Sequence, residues 1–153
     1  MSPLREIMRH VPSSVAVITA VSEGTPIGMT VGSFTSASLD PPLVSFFAAK
    51  TSTTWPAIHT AGRFCVNVLS AGQPQLATAF AARDADRFGD RSWTPSPLGS
   101  PRLEGVVAWL DCELDAIHQV GDHLAVTGLV HGMHATGGAR PLVFFRGELA
   151  GLS

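Results

Sequence analysis

Residues 28–54 read GMTVGSFTSASLDPPLVSFFAAKTSTT, and this stretch carries most of the information about the fold. It joins a strand of small and hydroxyl-bearing residues to a rigid Pro41-Pro42 pair, a second, apolar strand, and then Lys50 with several hydroxyl side chains. Ser36 to Asp40 has the composition of a turn between the two strands. The pattern therefore predicts two strands that lead into a helix.

The end of this stretch allows two interpretations. Lys50 is the only lysine in the chain, and hydroxyl residues follow it directly before the expected helix. The backbone N–H groups at a helix N-terminus bind anions, so Lys50 with Ser52, Thr53 and Thr54 could hold a phosphate. Ser52 or Thr53 could equally cap the helix without any ligand. Spacing leaves both interpretations open.

Runs of β-branched and apolar residues continue on both sides of this stretch. Strands are expected at 15–21, 27–34, 43–48, 63–69, 106–117, 124–134 and 142–145, separated by Gly, Pro, Ser and Asp. Six or seven strands with such punctuation indicate a closed or nearly closed antiparallel barrel.

Three short helices complete the expected architecture. The first follows Ser2-Pro3, a typical N-cap and first helical position, with apolar residues recurring on one face. The second begins after Ser52-Thr53, and the third spans about 74–82. Residues 84–101 mix charges, prolines and serines, and we expect them to form a surface loop.

The composition predicts one domain over residues 1–153. The chain has 45% hydrophobic and 14% charged residues, enough apolar material for a substantial core. Its mean hydropathy is +0.25, high for a small monomer, and the surplus indicates a subunit interface.

Several classes of function are disfavoured. A net charge of −2 without a basic cluster argues against nucleic-acid binding. No apolar run approaches the roughly 20 residues of a membrane span, and the N-terminus lacks a signal-peptide core, so a cytoplasmic protein is expected. His131 and His134 fall on opposite faces of a strand, so no metal site is expected. Cys65 and Cys112 are interpreted as buried thiols.

The usual nucleotide and hydrolase signatures, such as GxGxxG and GxSxG, are absent from the sequence. Instead, several segments resemble the short-chain flavin reductases, the reductase partners of two-component flavin-dependent monooxygenases. These are the stretch quoted above, KTSTTWPAI at 50–58, RFCVNVL at 63–69, Gly121-Asp122-His123 and RPLVFFRG at 140–147. The similarity covers nearly the whole chain in the family's order.

This resemblance implies a fold and an activity. The fold is mainly β, an FMN-binding split β-barrel of antiparallel Greek-key strands with a few short helices, working as a homodimer. The activity is reduction of FMN or FAD by NADH or NADPH, with the reduced flavin supplied to a partner monooxygenase. Two alternatives are a flavin-retaining electron-transfer protein of the same fold and a binding module without redox chemistry.

The resemblance also implies the site residues. The flavin ring would lie against the strand at 28–31, with its phosphate held near residues 50–54 and its far side closed by Phe80 and Arg83. His123 would face the nicotinamide as the catalytic residue, and we expect it to position that ring rather than transfer a proton. The implied flavin-binding residues are Ile27, Gly28, Met29, Thr30, Val31, Ser33, Phe47, Ala48, Ala49, Lys50, Ser52, Thr53, Thr54, Phe80 and Arg83.

Small residues at the implied ring site have a physical rationale. Gly28 and Ala48 would let a planar ring approach the backbone. Asn67 lies inside an apolar strand and needs a hydrogen-bond partner if it is buried, and a backbone group is the expected partner. The sequence decides neither NADH against NADPH nor FMN against FAD.

Overall fold

The β-branched and small residues of the chain form antiparallel strands in the computed structural model, which describes residues 2–83 and 86–152. The helices are α1 (Pro3–Met8), α2 (Trp55–Ala61) and α3 (Pro74–Ala79). The strands are β1 (Ser13–Ser14), β2 (Ala16–Ser22), β3 (Thr25–Val31), β4 (Thr35–Leu39), β5 (Pro42–Ala49), β6 (Arg63–Val68), β7 (Trp93–Pro95), β8 (Pro101–Leu103), β9 (Ala108–Val120), β10 (His123–Ala135), β11 (Leu142–Phe145) and β12 (Glu148–Gly151). The predicted mainly β class with a few short helices is confirmed.

Seven strands form the main sheet, in the order β3-β2-β6-β9-β10-β5-β4. All of its neighbours pair antiparallel. Strands β9 and β10 form a long hairpin around Gly121, whose φ of 57° suits glycine. Within residues 2–83 and 86–152, β3 and β4 make no ladder with one another, so the hydrogen-bonded sheet remains open.

Two clusters of buried side chains form the core. The first lies inside the curved main sheet, where the Phe46 ring packs edge-to-face on Trp55 and on Phe64, with centroids 5.9 and 5.4 Å apart. The second surrounds Phe80 and Phe88, whose ring centroids are 4.9 Å apart, and includes Leu142 of β11. Strands β1, β11 and β12 form a small separate sheet beside this second cluster.

The three predicted helices are present, with shorter ends. Ser2 caps α1, because its Oγ accepts the backbone N–H of Arg5 at 3.1 Å. Helix α1 buries none of its residues, and Leu4, Ile7 and Met8 on its apolar face remain more than half exposed. In the described part of the chain, no helix is long and apolar enough to cross a membrane.

Two expected irregular segments contain strands instead. Residues 36–40 were expected to turn, but β4 (Thr35–Leu39) pairs along β5 at the edge of the main sheet. The expected loop at 84–101 contains β7, which pairs with β8; its residues 84 and 85 lie outside the described part of the chain. Both strands are short, with five and three residues, and neither has a pattern of alternating apolar residues that would predict a strand.

Buried polar side chains attach β7 and β8 to the main sheet. Asn67 Oδ1 accepts the backbone N–H of Leu103 at 2.8 Å, and its Nδ2 donates to Val17 O at 3.1 Å. The expected backbone partner of Asn67 is therefore confirmed. Asp111 accepts the Ser96 hydroxyl at 2.7 Å and the Leu98 N–H at 2.8 Å.

Candidate functional site

A slot of 430 Å³ opens between β3 and β5, on the side where the sheet does not close. The Ser33 hydroxyl accepts the backbone N–H of Phe47 at 2.9 Å and so holds the two segments together. The lining residues are Met29, Thr30, Val31, Gly32, Ser33, Phe47, Ala48, Ala49, Ser52, Phe80, Ala81, Arg87 and His123. The slot is thus bounded by strand backbone, small side chains and aromatic rings, which suits a flat ligand.

Gly28, which was expected to let a planar ring approach the backbone, lies directly behind Phe80, a residue that lines the slot. A Cβ atom at this position would stand 3.0 Å from two ring carbons of Phe80. Phe80 is fully buried, and its carbonyl accepts the backbone N–H of Thr30 at 3.2 Å. The missing side chain of Gly28 therefore makes room for Phe80, and Phe80 in turn lines the slot.

A second cavity of 350 Å³ lies beside the slot, at the start of β3. Its lining residues are Pro26, Ile27, Gly28, Thr53, Thr54, Ala57, Arg83, Arg87 and Phe88. Arg83, Arg87, Thr53 and Thr54 are among its lining residues, and within residues 2–83 and 86–152 no Asp or Glu lines it. This second cavity is the cationic cavity of the site, and its charge favours an anion such as a phosphate.

The predicted flavin residues divide between these two cavities. The slot takes Met29, Thr30, Val31, Ser33, Phe47, Ala48, Ala49, Ser52 and Phe80, and the second cavity takes Ile27, Gly28, Thr53, Thr54 and Arg83. Lys50 lines neither cavity; its Nζ donates to Gln119 Oε1 at 3.3 Å, and its backbone N–H donates to the Asp122 carbonyl at 3.0 Å.

Ser52 connects the slot to the beginning of α2. Its Oγ accepts the backbone N–H groups of Thr54 at 3.3 Å and Trp55 at 3.1 Å. The N-cap residue of α2 is Thr54, which makes no side-chain capping hydrogen bond. The Ser52 hydroxyl instead holds the turn that leads into the helix, and Ser52 also lines the slot.

His123 lies at the rim of the slot, at the first position of β10, opposite Ala49 of β5. Its Nδ1 is 2.7 Å from Asp122 Oδ1, and its side chain is 44% exposed. The hydrogen bond from His123 is the main reason why the pKa of Asp122 lies below its ordinary value, with a further contribution from Lys50. An imidazole held in this way presents its other edge to a ligand at the mouth of the slot.

Arg87 is the site residue that the sequence analysis missed. It lies in the segment expected to be a simple surface loop, yet it lines both cavities. The adjacent Phe88 is buried against Phe80. A buried aromatic residue within a polar segment was the one available signal that this segment packs on the core.

A third cavity of 560 Å³ lies behind the slot and is almost wholly apolar. It shares Thr30, Val31 and Gly32 with the slot. Phe144 and Leu149 from the small sheet form its other side, and Phe144 is 43% exposed. Exposed apolar surface therefore lies next to the polar slot.

The family model for the flavin reductase like domain matches residues 8–153. This chain belongs to that flavin reductase family. A flavin reductase of Pseudomonas putida is 43% identical over 150 residues, covering 97% of this chain and 88% of its own. The reductase subunit HsaB of a flavin-dependent monooxygenase from Rhodococcus jostii is 42% identical over 148 residues, covering 97% of this chain and 76% of its own.

Solved structures of flavin reductases share the fold. A nitrilotriacetate monooxygenase component B homologue from Mycobacterium thermoresistibile superposes with a TM-score of 0.94 at 42% identity, covering 98% of this chain and 85% of its own. The NADH:FAD oxidoreductase SgcE6 of Streptomyces globisporus, solved with NAD and FAD fragments, gives a TM-score of 0.92 at 32% identity over 98% of this flavin reductase and 91% of its own chain.

Proposed function

We propose that this chain is an NAD(P)H-dependent flavin reductase that reduces FMN or FAD and supplies the product to a partner flavin-dependent monooxygenase. The observation that carries the proposal is the junction of a flat-walled slot with a cationic cavity, the shape and charge of a flavin ring and its phosphate. A 38% identical relative in Rhodococcus erythropolis is named NADH:FMN oxidoreductase, which supports this choice of reaction.

The residues of the slot fit an isoalloxazine ring. Phe47, 41% exposed, and the small Ala48 offer apolar surface, while the backbone of β3 supplies hydrogen-bonding groups. A bound flavin accepts a hydride from the nicotinamide, and this is the chemistry that the cofactor itself provides. The protein binds the ring, excludes water from one face and limits its orientation.

The cationic cavity fits the flavin phosphate. Thr53 and Thr54 provide hydroxyl groups there, and Arg83 and Arg87 provide positive charge. Lys50, which the resemblance also assigns to the phosphate, holds Gln119 instead in this structure. We propose that Lys50 contributes long-range charge to the same anion, with its side chain outside the cavity.

His123 would position the nicotinamide at the open face of the slot. Its contact with Asp122 orients the imidazole, and a ring held there can hydrogen-bond a carboxamide without transferring a proton. For this role, the carbon of the nicotinamide that donates the hydride must lie roughly 3–3.5 Å from the flavin face.

A homodimer in which two split barrels complete the slot is part of the proposal. The support is unpaired apolar surface: the exposed face of α1 with Leu4 and Ile7, together with the apolar cavity at Phe144. Such surface is typical of subunit interfaces. Residues 1–153 would then act as one domain in a reducing cytoplasm, consistent with the free, buried Cys65 and Cys112.

The activity is tested by following the nicotinamide absorbance band with purified protein, NADH or NADPH, and FMN or FAD. We expect nicotinamide oxidation that requires added flavin and shows saturation in both substrates. A yellow protein that does not oxidise either nicotinamide would identify the flavin-retaining alternative. A protein that binds neither FMN nor FAD would contradict the proposal and favour the binding module.

A further inference from the structure

Arg87 is held by three backbone carbonyl groups around its guanidinium. Its Nε donates to Ala82 O at 2.7 Å, and its Nη1 donates to Phe80 O at 2.8 Å and to Gly28 O at 3.0 Å. The carbonyls of Phe80 and Ala82 come from the turn that follows α3, and that of Gly28 comes from β3. One guanidinium therefore attaches the segment after α3 to the strand that forms the floor of the site.

The position of Arg87 differs from that of every other charged side chain that the structure describes at the site. It lines both the slot and the cationic cavity. Two of its acceptors belong to walls of these spaces, since Phe80 lines the slot and Gly28 lines the cationic cavity. Among the described residues, no hydrogen-bond acceptor within the protein is found for Nη2. This nitrogen can donate to a ligand.

Arg83 provides an internal comparison. It is exposed and lines only the cationic cavity. Its charge can act on an anion there, but it has no contact with the slot. Substitution of Arg83 should therefore affect only the binding of the phosphate, whereas substitution of Arg87 should affect the binding of both the phosphate and the ring of a flavin.

We propose that Arg87 joins the two halves of the flavin site: it binds the phosphate and at the same time fixes the wall against which the ring packs. This inference rests on the proposed function. Its physical basis is the guanidinium geometry, because several coplanar N–H donors can hold carbonyl groups on one side and an anion on the other. A lysine has the charge but not this arrangement of donors.

The test compares the affinity for FMN with that for riboflavin, which carries the same ring without the phosphate. Kd values are measured by flavin fluorescence for the wild type, Arg83→Gln, Arg87→Gln and Arg87→Lys, at a temperature where circular dichroism shows each to be folded. For Arg83→Gln, we expect FMN binding to weaken about tenfold and riboflavin binding to stay the same. For Arg87→Gln, both should weaken, FMN by about tenfold more than riboflavin.

Arg87→Lys supplies the second readout. The ammonium restores the preference for FMN over riboflavin, while riboflavin binding remains weak because the carbonyl groups lose their planar partner. A loss confined to FMN in Arg87→Gln would reduce Arg87 to a phosphate ligand and overturn the proposal. Equal losses of affinity for FMN and riboflavin would mean that Arg87 has only a structural role, and this result would also overturn the proposal. Wild-type protein that binds no flavin would instead refute the proposed function.

Discussion

A methyl group added at Gly28 would stand 3.0 Å from two ring carbons of Phe80 and 3.3 Å from the Ile18 carbonyl oxygen. The Phe80 ring cannot retreat easily, because it is fully buried and packs at 4.9 Å on the Phe88 ring. Its backbone is also held, through its carbonyl, by Thr30 and Arg87. Gly28→Ala must therefore move either β3 or Phe80, and both border the flavin site.

The magnitude follows from overpacking. Forcing one methyl group into a filled core costs about 1–3 kcal/mol, which for a chain of this size lowers Tm by about 2–12 °C. If this strain destabilises the FMN complex relative to the free protein by about 1 kcal/mol, the Kd for FMN rises about fivefold. Thermal unfolding followed by circular dichroism and FMN titration at a temperature well below Tm measure the two effects separately.

Gly128→Ala is the matched control. Its Cβ would meet the Phe64 ring at 2.6 Å and Cys112 Cβ at 3.1 Å, inside the first core cluster and away from both cavities. We expect Tm to fall by at least as much and the Kd for FMN to stay the same. A Gly28→Ala protein that loses stability but binds FMN like the wild type would refute the link between Phe80 and the slot.

Four further predictions concern other parts of the molecule. His123→Ala should raise the nicotinamide KM or slow hydride transfer about tenfold in stopped-flow assays while leaving flavin affinity unchanged; a KM and a rate that both stay unchanged would exclude the positioning role. In the same variant, the pKa of Asp122 should rise toward its ordinary value of 3.8, because the hydrogen bond from His123 favours the ionised carboxylate. NMR titration measures this shift. In the wild type, the hydrogen bond stabilises the folded state at pH values above 3.8, and this contribution is lost as the pH falls through the lowered pKa. Burial raises the pKa of the Cys112 thiol to about 12 and also raises that of Cys65, so a thiol reagent should label both only after denaturation. Asn67→Ala leaves the buried N–H of β8 without its acceptor and should cost about 1–3 kcal/mol in a denaturant titration.

The sequence was most informative where burial dictates the residue type. The run at 142–145 coincides with β11, and the expected strand at 63–69 differs from β6 by one residue, because both runs are rich in the β-branched and aromatic residues that favour strands. All three helices have a proline in the first turn, and Ser2-Pro3 predicted the first of them. For residues of this kind, the local sequence is enough to predict the secondary structure.

The edge strands lacked such a signal. Strand β4 is formed by Thr, Ser and Ala residues, mostly exposed, and it exists because β5 offers it hydrogen-bonding partners. Strand β7 has three residues, too few for any periodicity, and it pairs with β8. Whether such segments pair depends on strands remote in sequence, so local composition predicted turns and loops.

The candidate site shows the same division between local and tertiary information. Thr30 and Ala48, which the family resemblance implied as flavin-binding residues, both line the slot. Arg87 could not be assigned from its neighbours in sequence. Its acceptors lie 5, 7 and 59 residues away along the chain, and only folding brings them around one side chain.

Lys50 lies outside the second cavity in this structure. Its place beside hydroxyl residues left a phosphate ligand as one of two interpretations; its ammonium donates to Gln119 of β9, and the described cations that line the second cavity are Arg83 and Arg87. The charge of a binding site is thus set by which loops fold over it. Since the segment carrying Arg87 also anchors Phe88 in the core, the packing that stabilises this domain and the charge that would hold its flavin depend on the same few residues.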